Sequence, residues 1–380
     1  LDGSGLVTAN TLSKNLSFAE QIQMVAAPAA AAVAGAPAAA GDGHTGLFLR
    51  RYLGQSPAAP ADGRAESPDV VRYGGDDQPD ASAFTSDSGY ETEFTTDSPP
   101  QPDERVYVRV RNLADVPVAS RVYLYHARGS LTPWPGDWRH DGITVDGAAR
   151  NWAGLIVPAG AVAVTEHPIT WRPPDGDHRS LIAWIGDGPG WRPPDLAGRR
   201  ALDSYAELFQ FIATHPSLAI HNVAQVARQP EDHTYRTVLS TGAVAETVYL
   251  RVVVRNLPSD GTFALTVLGP DEDGSLSQPA GALGGHPAGF AAASGPLVLP
   301  PGCEASVAVS YEPGPLPPPL EARITVELLT PIPSSLMRDT ERRYRPAGLR
   351  TPLRSIRGVP VVLLGSVRYN LRFGAAGEGN

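Results

Sequence analysis

One stretch of this chain occurs twice, and both occurrences alternate as a β-strand must. Val106-Tyr107-Val108-Arg109-Val110-Arg111-Asn112-Leu113 returns as Val248-Tyr249-Leu250-Arg251-Val252-Val253-Val254-Arg255-Asn256-Leu257, with the asparagines 144 positions apart (112 to 256). Successive strand side chains point to opposite faces, so Val106, Val108 and Val110 share one face and Tyr107, Arg109 and Arg111 the other. That period of two predicts a half-buried strand. In the second occurrence Val248, Leu250, Val252 and Val254 form the inner face. Two more echoes follow in order: Ile156-Val157-Pro158-Ala159-Gly160 with Val298-Leu299-Pro300-Pro301-Gly302, then Ile169-Thr170-Trp171-Arg172-Pro173 with Val309-Ser310-Tyr311-Glu312-Pro313. Three echoes in one order predict two copies of one unit made of strands and turns.

Composition agrees with many short strands. The 39 glycines and 38 prolines among 380 residues are about a fifth of the chain, against a usual ~12%. The fold class expected is all-β: two tandem immunoglobulin-like β-sandwiches, residues 66–215 and 216–380, behind a partly disordered N-terminal extension, residues 1–65, with one short helix between the units. In the extension, Leu12, Leu16, Phe18, Ile22 and Met24 roughly follow one helical face, and Ser17 with Glu20 resembles a capping box. Residues 26–43 and 54–68 read as Ala/Gly/Pro-rich linkers. Between them, Leu47-Phe48-Leu49 with Tyr52-Leu53 forms an apolar cluster able to dock on the first sandwich. Asp69 to Tyr73 is a plausible first strand, and the acidic stretch from Gly74 to Glu104 carries turns. In residues 199–213, Leu202, Tyr205, Leu208, Phe209 and Ile212 switch to helical spacing. Two closing strands are expected over 359–364 and 367–373.

Charge narrows the partners. Forty Asp and Glu against thirty-one Lys and Arg leave a net charge of −9. A nucleic-acid binder needs a basic face, and an electrostatic hold on anionic lipid needs a basic cluster. Neither partner is expected. No apolar run reaches the ~18–20 residues of a membrane span, so no membrane insertion is expected. Cys303 is the one cysteine, which rules out an intramolecular disulfide and suits a small buried hydrophobe.

The order of motifs resembles the CARDB-type domains, immunoglobulin-like sandwiches of bacterial adhesion and surface proteins. The first copy carries Val106 to Asn112, Pro158-Ala159-Gly160 and Trp171-Arg172-Pro173; the second carries Val248 to Asn256, Pro300-Pro301-Gly302 and Tyr311-Glu312-Pro313. The usual asparagine-rich close is reduced to His221-Asn222, and the insert at 126–152 is long for the family. The resemblance implies a sandwich fold, a non-catalytic binding or scaffold role and an extracellular or cell-surface setting. It transfers no binding residues.

The residues that could carry chemistry are sparse. None of the nine histidines lies in a His-Glu-x-x-His or Cys/His zinc pattern, and no Gly-x-Ser-x-Gly elbow or phosphate-cradling Gly-rich loop occurs. Paired carboxylates for glycoside hydrolysis could be assembled only in space; an enzyme is not expected. Asp76, Asp77 and Asp80 head an acidic stretch continuing through Asp87, Glu91, Glu93, Asp97, Asp103 and Glu104. Converging oxygens suit Ca²⁺, but the twelve-residue loop spacing is missing here and at Asp271-Glu272-Asp273-Gly274. Solvated loops are the plainer account, and no cofactor is expected. All six tryptophans fall in the first unit. Trp171 and Trp184 sit on strands and read as core. Trp134, Trp138 and Trp191 sit in Pro/Gly-rich loops, where aromatics can stack on a sugar or anchor a protein partner; equally, proline and tryptophan can pack together to order a long loop. The expected function is a non-catalytic binding or structural module contacting a protein or glycan partner through loops of the first sandwich. Two alternatives stay open: a carbohydrate-binding module, and a component of a larger secreted or phage-like assembly, homo- or hetero-oligomeric, docked by residues 6–26.

Overall fold

The computed structural model describes residues 46–57, 62–73, 81–94, 103–174, 179–186, 191–193, 202–223, 234–257, 261–268, 291–312, 321–332 and 354–372. The helix expected within 6–26, the aspartates Asp76, Asp77, Asp80 and Asp97, and the turn at 271–274 lie outside these residues.

Among the described residues every strand–strand ladder is antiparallel. In the first unit the strands are β1 (Leu47–Phe48), β2 (Val70–Tyr73), β3 (Glu104–Asn112), β4 (Val118–Arg128), β5 (Ile143–Val145), β6 (Trp152–Val157), β7 (Val162–Val164), β8 (Ile169–Trp171), β9 (Arg179–Ile185) and β10 (Leu218–Val223). Two short helices, α1 (Ala81–Thr85) and α2 (Asp87–Tyr90), precede β3, and α3 (Tyr205–Thr214) precedes β10. The second unit holds β11 (Thr234–Ser240), β12 (Glu246–Arg255), β13 (Thr262–Leu268), β14 (Ala291–Ala293), β15 (Leu297–Leu299), β16 (Glu304–Glu312), β17 (Glu321–Pro331), β18 (Arg354–Ile356) and β19 (Val359–Arg372).

Each unit stacks two sheets. In the first, β3 is flanked by β1 and β2 on one edge and by β7 and β8 on the other, with β5 beyond β8; the facing sheet runs β10-β9-β4-β6. Val106, Val108, Val110, Val122, Leu124, Leu181, Ala183 and Ile185 meet between them. In the second unit β11-β16-β13 faces β14-β12-β17-β19-β18, with β15 also on β12. The architecture is therefore mostly β, in two sandwich-like units with a short helix between them.

The structure differs in detail from the sequence reading at three places. First, Leu218–Val223 pairs along its whole length with β9, and β1, within residues 1–65, pairs with β3. Second, β3 is buried on both faces: Tyr107 and Arg109 are as inaccessible as the valines, because α1 and α2 lie over them. Phe84 packs on Tyr107 at 5.7 Å between ring centroids. Third, the two closing strands are one strand of 14 residues with a register shift opposite Leu328 and Leu329.

The largest correction concerns the repeat. β3 pairs with β7 and β8, the strands that follow the Pro158-Ala159-Gly160 turn. β12 pairs instead with β15, which precedes the Pro300-Pro301-Gly302 turn, and with β17. The counterpart of β12 is β4, which pairs with β6 and β9. The counterpart of β3 is β11, which pairs with β16. Shifted this way the remaining pairings coincide: β5 on β8 matches β13 on β16, and β10 on β9 matches β19 on β17. The units are duplicates in topology, and the two turn echoes align correctly. The Val-x-Val echo does not, because any half-buried strand ending in a turn generates that pattern.

Beside the first unit's own core, one apolar cluster spans both units. On β9, Leu181, Ala183 and Ile185 face the first sandwich while Ile182 and Trp184 face outward. That outward face is covered by α3, whose Leu208, Phe211 and Ile212 belong to a cluster continuous with Val248, Leu250, Val307 and Leu364 of the second unit. The helix starts at Tyr205, six residues into the stretch 199–213 whose spacing predicts it, so Leu202 lies before it. Ser204 caps it by accepting from the Glu207 amide at 3.3 Å. Two glycines mark close approaches across the junction. A Cβ at Gly365 would lie 1.9 Å from the Leu131 carbonyl oxygen, and one at Gly63 would lie 2.0 Å from that of Leu364.

Candidate functional site

The loop tryptophans are not offered to solvent as a stacking surface. Trp134 and Trp138 are 9% and 7% exposed. Trp134 stacks on Tyr205 with centroids 5.8 Å apart and donates its indole N–H to the Ser240 carbonyl at 3.1 Å. Trp138 meets Trp184 edge-on at 5.9 Å and donates to Pro133 O at 3.3 Å. Trp191 is half-buried against Trp184 and Tyr123. The Trp134 and Trp138 rings pack the long 126–152 insert onto α3 and the second unit. Burial of this much aromatic surface outweighs what an exposed loop could gain from solvent.

The acidic stretch divides. Glu104 is buried with Arg72, their side chains 3.4 Å apart. Asp103 pairs with Arg172 at 2.7 Å on the surface. Glu91 and Glu93 lean toward Arg50 and Arg368. Among the described residues no three His, Cys, Asp or Glu side chains group as a metal site. His126 and His221 are buried, each with a ring nitrogen donating to a backbone carbonyl, of Asp141 at 2.9 Å and Ser67 at 2.8 Å.

Charge concentrates elsewhere, on the outer face of the second unit's larger sheet. Inward residues of β12 and β17, such as Val252, Val254, Ile324 and Val326, fill the core. The alternate positions then face outward by strand period. In register, Arg251 lies opposite Glu327, Val253 opposite Thr325, and Arg255 opposite Arg323. β19 adds Arg368 opposite Thr325, and β18 adds Arg354. Residues 62–66 fold over this face from the first unit and contribute Arg64 and Glu66. Together they line a recess of about 210 Å³ whose walls hold six arginines and two glutamates.

The arginines are held in place. Glu327, mostly buried, accepts from Arg251 and from Arg354 at 2.9 Å. Burial alone would push the Glu327 carboxyl up, but these hydrogen bonds and charges outweigh it and hold it below the usual carboxylate range. Arg368 is tied to Glu66 and, at 3.3 Å, to Glu93. Arg64 pairs with Asp62 at 2.9 Å. Arg323 donates to Asn370 at 3.1 Å. Like charges directly opposite on a sheet destabilise it, so the facing pair Arg255 and Arg323 is a local cost that a bound anion would remove. Sequence reasoning missed this site. Its signal, Arg251 and Arg255 four apart on one strand face with single arginines on β17, β18 and β19, was present but meant nothing until the strands were paired.

No known protein family matches the chain, and no characterised protein matches it significantly in sequence. Solved structures with some likeness include a red sea bream transglutaminase, at 12% identity and TM-score 0.18, over 61% of this chain and 28% of that one. The chain thus spans under a third of that enzyme. CBD12 from CALX1.2 aligns at 10% identity and TM-score 0.18, over 70% of this chain and 93% of that one. The collagen binding domain of Erysipelothrix rhusiopathiae surface protein RspB aligns at 9% identity and TM-score 0.16, over 72% and 93%. Likeness at this level carries no argument about function.

Proposed function

We propose that this chain is a non-catalytic binding module that holds an anionic ligand on the outer face of its second sandwich. The observation that carries this reading is the recess with six arginines against two glutamates, in a chain of net charge −9. Arginine presents a planar fork of donors that fits carboxylate, sulfate and phosphate. The shared core and α3 serve as the rigid platform. The strand pairings support an immunoglobulin-like order in each unit. The CARDB-type resemblance keeps its support in the two Pro-x-Gly turns and loses it in the Val-x-Val strands; the extracellular or cell-surface setting it implies belongs to the same proposal.

The test is an array of carboxylate-, sulfate- and phosphate-bearing ligands beside neutral sugars, probed with the wild-type chain and with the double variant Arg255→Ala/Arg323→Ala. At least one anionic ligand is expected to bind, to weaken with added salt, and to lose tenfold or more in affinity in the variant. Binding of neutral sugars alone, or anion binding untouched by the variant, overturns the reading.

A further inference from the structure

Resting on that reading, we propose that the recess selects a compact, multivalent oxyanion, a phosphate group or a small polycarboxylate, over an extended polyanion. Size comes first. A cavity of about 210 Å³ falls below the ~300–1,000 Å³ of pockets that enclose drug-sized ligands. Shape agrees: residues 62–66 wall the recess on the side of the first unit, with Gly63 donating its amide to the Leu363 carbonyl at 3.0 Å and Glu66 tied to Arg368.

Charge agrees as well. Six arginines against two glutamates line the recess; with Asp62 and Glu93 paired to Arg64 and Arg368 beside it, a formal surplus of two positive charges remains, which matches an anion of two or more charges. Beyond the recess the chain is net acidic. At physiological salt the field of exposed charges decays over about 8 Å. A small anion inside therefore meets all of the arginines, while the protruding length of a polymer lies beyond their reach. The lining contains no aromatic residue, so the base stacking that holds single-stranded nucleic acid has no platform there. Finally, the forks are pre-oriented: Glu327 fixes Arg251 and Arg354, Asn370 fixes Arg323, and Glu66 with Glu93 fixes Arg368. Such fixing reduces the ordering penalty of binding and suits a ligand whose oxygens are close together.

Titration calorimetry on the full chain tests this with four probes: inorganic pyrophosphate, citrate, a heparin-derived oligosaccharide and an oligothymidylate. Pyrophosphate or citrate is expected to bind at one site, to raise the thermal midpoint, and to lose at least tenfold in affinity in Arg255→Glu. That side chain is exposed, so the variant should fold, and the surface control Arg150→Ala should bind as the wild type does. Pyrophosphate without citrate assigns the site to phosphate; the reverse assigns it to carboxylates. If the polymers bind through Arg255 and both small anions fail, the selectivity proposed here is wrong while the anion-binding reading stands. If no probe binds in an Arg255-dependent way, both fall.

Discussion

Asn112 and Thr241 occupy the same point in the two sandwiches. Asn112 is the last residue of β3 and Thr241 the residue just after β11, the strands that pair beyond the Pro-x-Gly turns, and each donates its backbone amide across to the residue after the turn glycine, Ala161 O and Cys303 O, both at 2.9 Å. Each side chain then donates to a carbonyl at the start of that turn, Asn112 to Val157 at 3.1 Å and Thr241 to Pro300 at 2.7 Å. Asn256, the partner of Asn112 in the sequence echo, does none of this; it is exposed at a turn with φ +58°.

The two asparagines should therefore respond differently to substitution. Asn112 is fully buried, donates also to Val116 O and accepts from the Ala114 amide. Asn112→Ala is expected to lower stability by about 2–3 kcal/mol, since it strands buried backbone groups. Asn256→Gly should be neutral or slightly stabilising, because glycine tolerates positive φ better than any other residue. Urea denaturation midpoints check both. Equal losses at the two sites would contradict the assignment.

The shared core makes the two units unfold together. Trp134→Ala removes the stack on Tyr205 and the bond to Ser240, and should lower stability by about 3–5 kcal/mol. Gly365→Ala drives a methyl into the Leu131 carbonyl and should separate the units. One calorimetric transition is expected for the wild type and two for Gly365→Ala; two in the wild type would show that the junction does not couple them.

Asp69 is a fully buried anion of the first unit. It accepts from the Arg50 side chain at 2.7 Å and lies 3.5 Å from Arg109, with all three inaccessible to solvent. Asp69→Asn leaves two buried guanidinium groups without their carboxylate and is expected to cost about 3–5 kcal/mol. A loss below about 1 kcal/mol in urea would mean that backbone carbonyls already satisfy both arginines.

Two buried groups bend the pH–stability curve in opposite directions. Burial pushes His221 down to about 3. Below pH 6.5 the unfolded chain takes a proton that the folded imidazole refuses, so stability falls as pH drops from 6.5 toward 3, by about 4–5 kcal/mol in full. Burial pushes Glu246 up to about 7, against the amide of Tyr205 that it accepts at 2.6 Å and with Glu207 nearby. The folded carboxyl keeps a proton that the unfolded chain releases near 4.5, so stability is lost as pH rises from 4.5 through 7, by about 3 kcal/mol. His221→Gln should flatten the acid limb and Glu246→Gln the limb between pH 5 and 8, in denaturation followed across pH.

What could be read from residue order was local. Period-two alternation placed strands at 106–111 and 248–255, helical spacing placed α3, and the paired Pro-x-Gly turns marked the duplication. Each follows from backbone geometry acting over a few residues. Which strand matched which was not legible. Val122-Tyr123-Leu124 and Val248-Tyr249-Leu250 offered a second echo that pairs the true counterparts β4 and β12, but alternation alone cannot rank one such echo over another.

Tertiary structure decided the rest, because burial and charge density depend on what lies across a sheet or a junction. It turned the loop tryptophans inward, since α3 and the second unit supplied an apolar surface for them. It buried Tyr107 and Arg109 under two helices that the acidic stretch did not announce. It also gathered arginines from residues 64 to 368 onto one face: strand pairing brings distant positions within reach of a single ligand, and no spacing along the chain encodes that proximity.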